Sequence, residues 1–189
     1  MRSLLLTLLA FAAGCTGCVS VPQSEHGATM RVTFADHGLC SATAVGPSTI
    51  LIATHCLTAP LKTASSIMAH EVSRVDDKHD HSLVRLNIRF ASWAKFGESA
   101  RQGDEIHYYG NALGFNDLLR RGYVANCDGT ACMVDVEGAP GDSGSGVFDA
   151  SGRIIGVISQ MYQANNFQFR MMVLCPLTFT QAQLEAATA

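Results

Sequence analysis

From residue 30 onward, the chain is a series of short β-prone runs separated by turn residues. The runs lie at 31–35, 40–45, 50–53, 66–72, 82–88, 106–110, 122–126, 131–136, 146–148, 153–159 and 167–174. Strands at intervals of roughly 8–12 residues with turn signals between them favour a sandwich or a barrel. We therefore predict an all-β protein. One short helix is predicted at the C-terminus, where Thr180 and Gln183 form a capping-box pattern ahead of Leu184.

The runs fall into two sets on either side of a linker near residues 97–104. Each set contains five to six runs, which fits two six-stranded antiparallel barrels. A chain of 189 residues is long enough to bury a core without help from a metal. Two such halves would enclose a cleft, which is a common position for a functional site.

The composition excludes some classes of partner. Charged residues make up 15% of the chain and the formal net charge is −3, with no basic stripe, so we expect no nucleic acid partner. No apolar stretch reaches the roughly 20 residues that a transmembrane helix needs. We expect a monomer that acts on a protein or peptide, without a metal or an organic cofactor.

The N-terminus has the pattern of an export signal. Arg2 precedes an apolar segment at 4–13 that only Thr7 interrupts. The residues Ala-Ala-Gly before Cys15 are similar to a bacterial lipoprotein box, which predicts lipidation of Cys15, whereas a plain leader would be cut near Ala12. The protein is thus expected in the cell envelope, lipid-anchored, or secreted. The predicted organisation is a signal segment at 1–18, a tether at 19–29 and one folded domain at 30–189.

The chain has seven cysteines, and export would permit disulfides between them. Cys40 and Cys56 bracket a strand–turn–strand segment, and Cys127 and Cys132 bracket an Asp-Gly turn, so both pairs are predicted bridges. Cys175 has no partner that the sequence identifies. It pairs with Cys18 or remains a buried thiol.

The segment Gly-Asp-Ser-Gly-Ser-Gly at 141–146 carries the strongest chemical signal. A serine hydroxyl between glycines can approach a substrate closely, so Ser143 is the candidate nucleophile. The backbone N–H groups of Gly141 and Ser143 are the candidate oxyanion donors, and a glycine at 141 permits the required turn. The alternative interpretation is a flexible loop.

A serine nucleophile needs a base that a third group orients. His55, after the run at 50–53, is the candidate base, and Asp80, just before the run at 82–88, is the candidate acid. Asp77 is the alternative acid, in a charged loop. The sequence His79-Asp80-His81 also allows a metal site, since residues two apart share a strand face. We expect solvent-exposed loop histidines there and no metal.

Several motifs in this order resemble the trypsin-like serine proteases of the chymotrypsin fold, in a compact bacterial or phage-type form. The motifs are Cys40-Ser-Ala-Thr-Ala-Val-Gly-Pro, Ala53-Thr-His-Cys56, the segment 80–86, Gly141-Asp-Ser-Gly144 and Gly156-Val-Ile-Ser159. The resemblance spans about residues 30–184. It implies a serine endopeptidase with the triad His55, Asp80 and Ser143. It also implies that Ser159, Gln160 and Met161 line the cleft and pair with the bound peptide as an added strand.

The sequence also departs from that family. His55 and Asp80 are only 25 residues apart, and no activation site follows the leader between residues 19 and 35. In animal relatives a freed N-terminus pairs with the aspartate before the nucleophile. Here an internal arginine, Arg120 or Arg121, is expected to hold Asp142 instead.

Specificity is encoded weakly. Glu137 lies six residues before Ser143, where the family often places the residue at the base of the primary specificity pocket. A carboxylate there would favour Lys or Arg in the substrate. Because Ala139 and Pro140 stand where a cysteine is usual, Glu137 could instead be an exposed loop acid. Other functions left open are an esterase with the same triad, a catalytically silent binding module and an interaction domain for a cell-envelope partner.

Overall fold

The computed structural model describes residues 23–163 and 170–189. Within these ranges the chain forms two seven-stranded sheets, one from each half of the sequence. The predicted signal segment, with Cys15 and Cys18, and the first residues of the predicted tether lie outside the described residues. No helix in the described part is long and apolar enough to cross a membrane.

The first sheet follows a short helix, α1 (Gln23–Ala28), and curls into a half-barrel. Its strands are β1 (Thr29–Phe34), β2 (Leu39–Ala44), β3 (Thr49–Ala53), β4 (Leu61–Ala64), β5 (Ile67–Met68), β6 (Glu71–Asp76) and β7 (His81–Leu86). Their order across the sheet is β5-β4-β1-β2-β3-β7-β6. The apolar run of β3 is fully buried because β3 lies inside the sheet, between β2 and β7.

The second sheet closes into a six-stranded barrel. Its strands are β8 (Lys95–Phe96), β9 (Glu105–Gly110), β10 (Leu118–Cys127), β11 (Cys132–Asp135), β12 (Gly146–Phe148), β13 (Arg153–Gln163) and β14 (Arg170–Cys175). The order is β12-β9-β10-β11-β14-β13-β8. Pairing of β12 with β13 closes the six strands β9 to β14 into the barrel, and β8 lies outside it, beside β13. The chain ends in α2 (Gln181–Thr188), where Thr180 and Gln183 form the predicted capping box.

The predicted fold class is confirmed: the protein is mostly β, with a chymotrypsin-like arrangement and a short C-terminal helix. The first half differs in detail, since it is a curled sheet of seven strands. The strands β4 and β8 were not predicted, because they are short and carry little apolar pattern.

The structure also differs from the predicted tether at residues 23–29. Six of these residues form α1, and the buried Glu25 pairs with His107 of β9, with 2.7 Å between Glu25 Oε2 and His107 Nε2. Only 2% of the Glu25 side chain is exposed. The polar composition of this segment concealed a docked helix, because its anchor is an ion-pairing side chain rather than an apolar one.

The two halves share a core. The larger apolar cluster is formed mainly by the first sheet, but it also includes Phe148, Ile154 and Val157 from β12 and β13. A second cluster fills the closed barrel. Strands β12 and β13 are therefore held against the first sheet by apolar contact.

Both predicted disulfides are present, Cys40–Cys56 and Cys127–Cys132. The first joins the start of β2 to the turn that follows β3. The second closes the hairpin between β10 and β11. Cys175 pairs with no other cysteine among residues 23–163 and 170–189.

We expect removal of Cys40–Cys56 by a double alanine substitution to lower the free energy of unfolding by about 3 kcal/mol, since its closed loop is the longer one. Removal of Cys127–Cys132 is the matched control and should cost about 2 kcal/mol, because the loop spans only 5 positions instead of 16. Urea denaturation of both variants measures the two values. An equal or reversed order would contradict this prediction.

Candidate active site

His55 and Asp80 lie side by side at the ends of two paired strands. β3 and β7 are antiparallel neighbours with Ala53 opposite His81, so the turn after β3 meets the residue before β7. His55 Nδ1 lies 2.7 Å from Asp80 Oδ2, and the His55 backbone N–H donates to Asp80 Oδ1 at 2.8 Å. A carboxylate at Nδ1 fixes the ring and leaves Nε2 as the proton acceptor.

The backbone around Asp80 is shaped for this contact. Asp80 has φ +65°, a left-handed conformation that Asp adopts more readily than most residues. Its carbonyl oxygen accepts a hydrogen bond from the Thr54 N–H at 2.9 Å. The backbone N–H groups of Thr54 and His55 both donate to Asp80, which holds the loop before β7 against the turn after β3. The short aspartate side chain can therefore reach the imidazole of His55.

Asp77, the alternative acid, has a different partner. Its Oδ2 lies 2.8 Å from Nδ1 of His81, and both side chains are almost completely buried. Oδ1 accepts from the N–H groups of His79 and His81, and Oδ2 from that of Thr178. Asp77 therefore fixes the loop that carries Asp80 and ties it to the segment before α2.

The expectation of solvent-exposed histidines in this loop is wrong for His81, which is fully buried. The sequence predicts exposure because the loop is charged, but one ring nitrogen of the buried His81, Nδ1, bonds to the carboxylate of Asp77. In the described ranges, no group of three or more histidine, cysteine or acidic residues is arranged to hold a metal ion.

Burial alone would raise the pKa of Asp77, but the hydrogen bonds from His81, Thr178 and His79 outweigh it and hold the pKa below its usual value. A depressed folded-state pKa gives stability that is present above the unfolded pKa of about 3.9 and is lost as the pH falls below it. Between pH 5 and 2.5, the urea midpoint of the wild type should therefore fall more steeply than that of Asp77→Asn. Parallel slopes would contradict the assignment.

Ser143 lies in the loop between β11 and β12, and this loop packs on the turn that contains His55. The Ser143 carbonyl oxygen accepts from the Ser41 N–H at 2.8 Å and lies 3.9 Å from Cys56 Sγ. Gly144 has φ +87°, and a Cβ there would collide with the Ser41 carbonyl. The glycine after Ser143 thus permits the close approach of the two halves beside His55.

The two candidate oxyanion donors have no competing acceptor. In the part of the chain that the structure describes, neither the Gly141 nor the Ser143 N–H donates a hydrogen bond. Gly141 has φ +104°, and a Cβ there would lie 2.5 Å from the Asn111 carbonyl oxygen. Two free N–H groups beside a serine are what a developing oxyanion requires.

Arg120, one of the two arginines considered, is the cation beside Asp142. The Asp142 side chain is fully buried, and its Oδ2 lies 3.7 Å from Arg120 Nε. Oδ2 also accepts from the Ala139 N–H at 3.0 Å and from the Tyr108 hydroxyl at 3.4 Å. Arg121 is exposed, because neighbouring residues of β10 face opposite sides of the strand.

Burial raises the pKa of Asp142, although the Ala139 N–H and the Arg120 charge partly offset this effect. The carboxylate therefore depends on Arg120 most when it is ionised. Since the closest approach is 3.7 Å, the contribution of Arg120 is mainly Coulombic rather than a directional hydrogen bond.

We expect Arg120→Met to lower the free energy of unfolding at neutral pH by about 3 kcal/mol, because it leaves a buried carboxylate without its cation. The loss should shrink as the pH falls, since protonated Asp142 needs no counter-charge. Arg120→Lys is the matched control and should retain most of the stability. Urea denaturation at pH 7 and pH 4.5 tests this, and a pH-independent loss would contradict it.

The predicted cleft residues lie on β13. The register of β13 against β14 shifts between Ile158 and Gln160, so Ser159 occupies a bulge. The Ser159 side chain is buried, whereas Gln160 and Met161 are exposed. Beyond Ile158, the described part of β13 pairs only with β14, so its other edge is open to an added strand.

Glu137 differs from what a charged pocket floor requires. Its side chain is 94% exposed and lies 3.6 Å from Arg120 Nη1. This is the exposed-acid interpretation that the sequence left open. A solvated carboxylate discriminates weakly between substrates, so Glu137 is not included in the candidate machinery below.

The sequence did not identify three buried polar residues around the nucleophile loop: Ser41, Tyr108 and Asn111. Ser41 was part of a recognised motif only through its neighbour Cys40. Asn111 and Ser41 are 70 residues apart in the chain, and no local pattern indicates their contact.

The comparisons with known proteins agree with this geometry. Residues 28–157 match the family model described as a trypsin-like peptidase domain. The chain belongs to the trypsin-like peptidase family. Among curated proteins, none matches this sequence significantly.

The trypsin-like peptidase fold also appears in the structural comparison. The inactive form of a serine-to-alanine mutant of Rv3671c from M. tuberculosis superposes with a TM-score of 0.69 and 13% identity, covering 87% of this chain and 88% of that one. The inactive form of the Rv3671c protease gives 0.67 and 14% identity, with 88% and 92% covered. At these identities the likeness concerns the fold alone.

Proposed function

We propose that this trypsin-like peptidase is a serine endopeptidase that uses His55, Asp80 and Ser143. The observation that carries the proposal is the double hydrogen bond between His55 and Asp80. Such a bond gives the imidazole one tautomer, with Nε2 free to accept a proton. The carbonyl oxygen of the glycine-bounded Ser143 lies 3.9 Å from Sγ of Cys56, the residue after His55.

In this mechanism the Ser143 oxygen attacks the scissile carbonyl carbon while its proton passes to His55 Nε2. The carbonyl π electrons move onto oxygen, and the N–H groups of Gly141 and Ser143 stabilise that charge. His55 then protonates the leaving amine, and an acyl-enzyme forms. Water, deprotonated by His55, attacks the ester carbonyl carbon. The bond to the Ser143 oxygen then breaks, His55 returns the proton to that oxygen, and the peptide acid leaves. Asp80 remains ionised throughout and stabilises the charged imidazole.

The substrate is a peptide chain that adds as a strand beside Ser159, Gln160 and Met161. The edge of β13 that has no strand partner beyond Ile158 in the described residues supports this assignment. Strand addition supplies main-chain hydrogen bonds that an isolated small ester cannot make.

The two disulfides support an exported enzyme. We further propose that Cys15 carries a lipid that holds the enzyme at the cell envelope. Metabolic labelling with a fatty-acid analogue tests this part separately, with Cys15→Ser as the control.

Reaction with a fluorophosphonate probe and cleavage of an unstructured protein test the proposed function. The wild type should label and cleave. Ser143→Ala should lose labelling, and its kcat should fall by about 10⁴- to 10⁶-fold, because triad residues act as a unit.

Asp80→Asn should lower kcat by about 10⁴-fold through the wrong imidazole tautomer. Asp76→Asn is the matched control, because this nearby carboxylate contacts Ser82 rather than His55. Labelling that survives in Ser143→Ala would exclude Ser143 as the nucleophile. A folded wild type that neither labels nor cleaves would favour a silent binding module.

A further inference from the structure

The hydroxyl of Ser41 is the centre of a buried hydrogen-bond cluster outside the proposed triad. Ser41 Oγ donates to the Gly141 carbonyl at 2.8 Å and accepts from Asn111 Nδ2 at 2.9 Å and from the Asn111 N–H at 3.0 Å. One donor and two acceptor sites are the full capacity of a hydroxyl. Ser41 is 0% exposed and Asn111 is 1% exposed, so no bulk water can replace these bonds.

We propose that Ser41 and Asn111 are positioning residues that hold the oxyanion hole of this enzyme in its working conformation. The inference rests on the proposed function, since it assigns the oxyanion role to Gly141 and Ser143. It adds two residues that touch neither the substrate nor the triad side chains and act through the backbone of the nucleophile loop.

The argument follows the peptide units of the loop. An N–H group can turn only with the carbonyl of the preceding residue, because the peptide bond between them is planar. The Gly141 N–H therefore points where the Pro140 carbonyl allows, and the Ser143 N–H where the Asp142 carbonyl allows. An oxyanion donor is fixed when the carbonyl in its own peptide unit is held by a hydrogen bond.

All four consecutive carbonyls from residue 140 to residue 143 are held in this way. The Pro140 carbonyl accepts from the Leu113 N–H at 2.7 Å, and the Asp142 carbonyl from the Ser145 N–H at 3.0 Å. Those of Gly141 and Ser143 accept from Ser41, one from its hydroxyl and the other from its N–H. Ser41 thus directly holds the two peptide units of the Gly141 and Ser143 carbonyls, which alternate with the two units that carry the donor N–H groups.

Ser41 acts on a third unit through Asn111. The two bonds from Asn111 to Ser41 Oγ fix the start of the segment 111–113, whose last residue donates to the Pro140 carbonyl. Leu113 also has φ +53°, a left-handed conformation that is strained for this residue, so the turn that presents its N–H depends on neighbouring contacts to hold it. Without Asn111 in place, the strain at Leu113 would favour release of the unit that carries the Gly141 N–H.

Ser41→Ala removes the hydroxyl and leaves three buried polar groups without partners. Because the loss affects a group needed only when charge develops, kcat should fall about 10- to 100-fold while KM changes by less than about threefold. The affinity for a peptide aldehyde, whose hemiacetal oxygen occupies the oxyanion position, should fall by the same factor as kcat. A purely structural role predicts no such agreement.

Thr43→Val is the matched control. Thr43 is on the same strand and equally buried, and its Oγ1 accepts from the Gly146 N–H at 3.0 Å, so this variant also breaks a buried bond between the halves. It should lose stability to a similar extent but keep kcat within about twofold. Asn111→Ala should reproduce the kcat loss of Ser41→Ala. The double variant should be little worse than either single one, because residues of one network are not additive.

A Ser41→Ala variant with the kcat and aldehyde affinity of Thr43→Val would overturn the proposal while leaving the proposed function intact. A wild type without turnover or probe labelling would instead end the proposed function. Amide hydrogen exchange of Leu113 and Asp142 would then still decide whether Ser41 holds the loop. Faster exchange in Ser41→Ala than in Thr43→Val would support the positioning role of Ser41. Equal exchange in the two variants would overturn it.

Discussion

The loop that contains Ser143 belongs by sequence to the closed barrel, but strand β2 of the first sheet holds it in position. Ser41 binds the carbonyls of Gly141 and Ser143, and the Cys40–Cys56 bridge joins the same strand to the turn that contains His55. Strand β2 thus contacts both the loop of the proposed nucleophile, Ser143, and the turn of the proposed base, His55. Their relative position depends on the contact between the halves rather than on either half alone, and the shared apolar core maintains that contact.

Among residues 23–163 and 170–189, three histidine–carboxylate pairs have nearly equal N–O distances and differ in their exposure. His55 with Asp80, His81 with Asp77 and His107 with Glu25 have N–O distances of 2.7, 2.8 and 2.7 Å. The imidazole of His55 is 46% exposed, whereas that of His81 is fully buried and that of His107 is 15% exposed. Only the first can meet a substrate. The other two hold a loop and a helix in place, so exposure distinguishes the proposed catalytic pair from the two structural ones.

Local pattern carried much of the prediction. Alternating and buried runs indicated most strands, and motif spacing indicated His55, Asp80 and the loop at 141–146 before any contact was visible. The closure of only one barrel could not be predicted, because ring closure depends on pairing between β12 and β13 rather than on the composition of either strand. Helix α1 was missed because polar residues form its anchor.

The buried polar contacts were the least predictable part. The histidine at position 81 was expected in solvent because a charged loop surrounds it, yet it is buried with its Nδ1 bonded to one carboxylate of that loop. Reasoning about Asp142 limited its cation to Arg120 or Arg121. The choice between them depended on which side chains of β10 point toward Asp142. Ser41 and Asn111 meet only through the fold, and a single sequence contains no signal for such a pair.

Helix α1 also determines how the molecule would bear a mechanical load. Glu25 lies in α1, four residues before β1 begins at Thr29, and its carboxylate bonds to His107 on the opposite half. Tension on the chain upstream of Gln23 would therefore reach the closed barrel through the contacts of Glu25 with His107 and of His26 with Asp117 before it could separate β1 from its neighbours. If the protein were pulled from its N-terminal end, the force would act on His107 and on Phe148, against which the His107 ring stacks. It would not act first on the turn that contains His55.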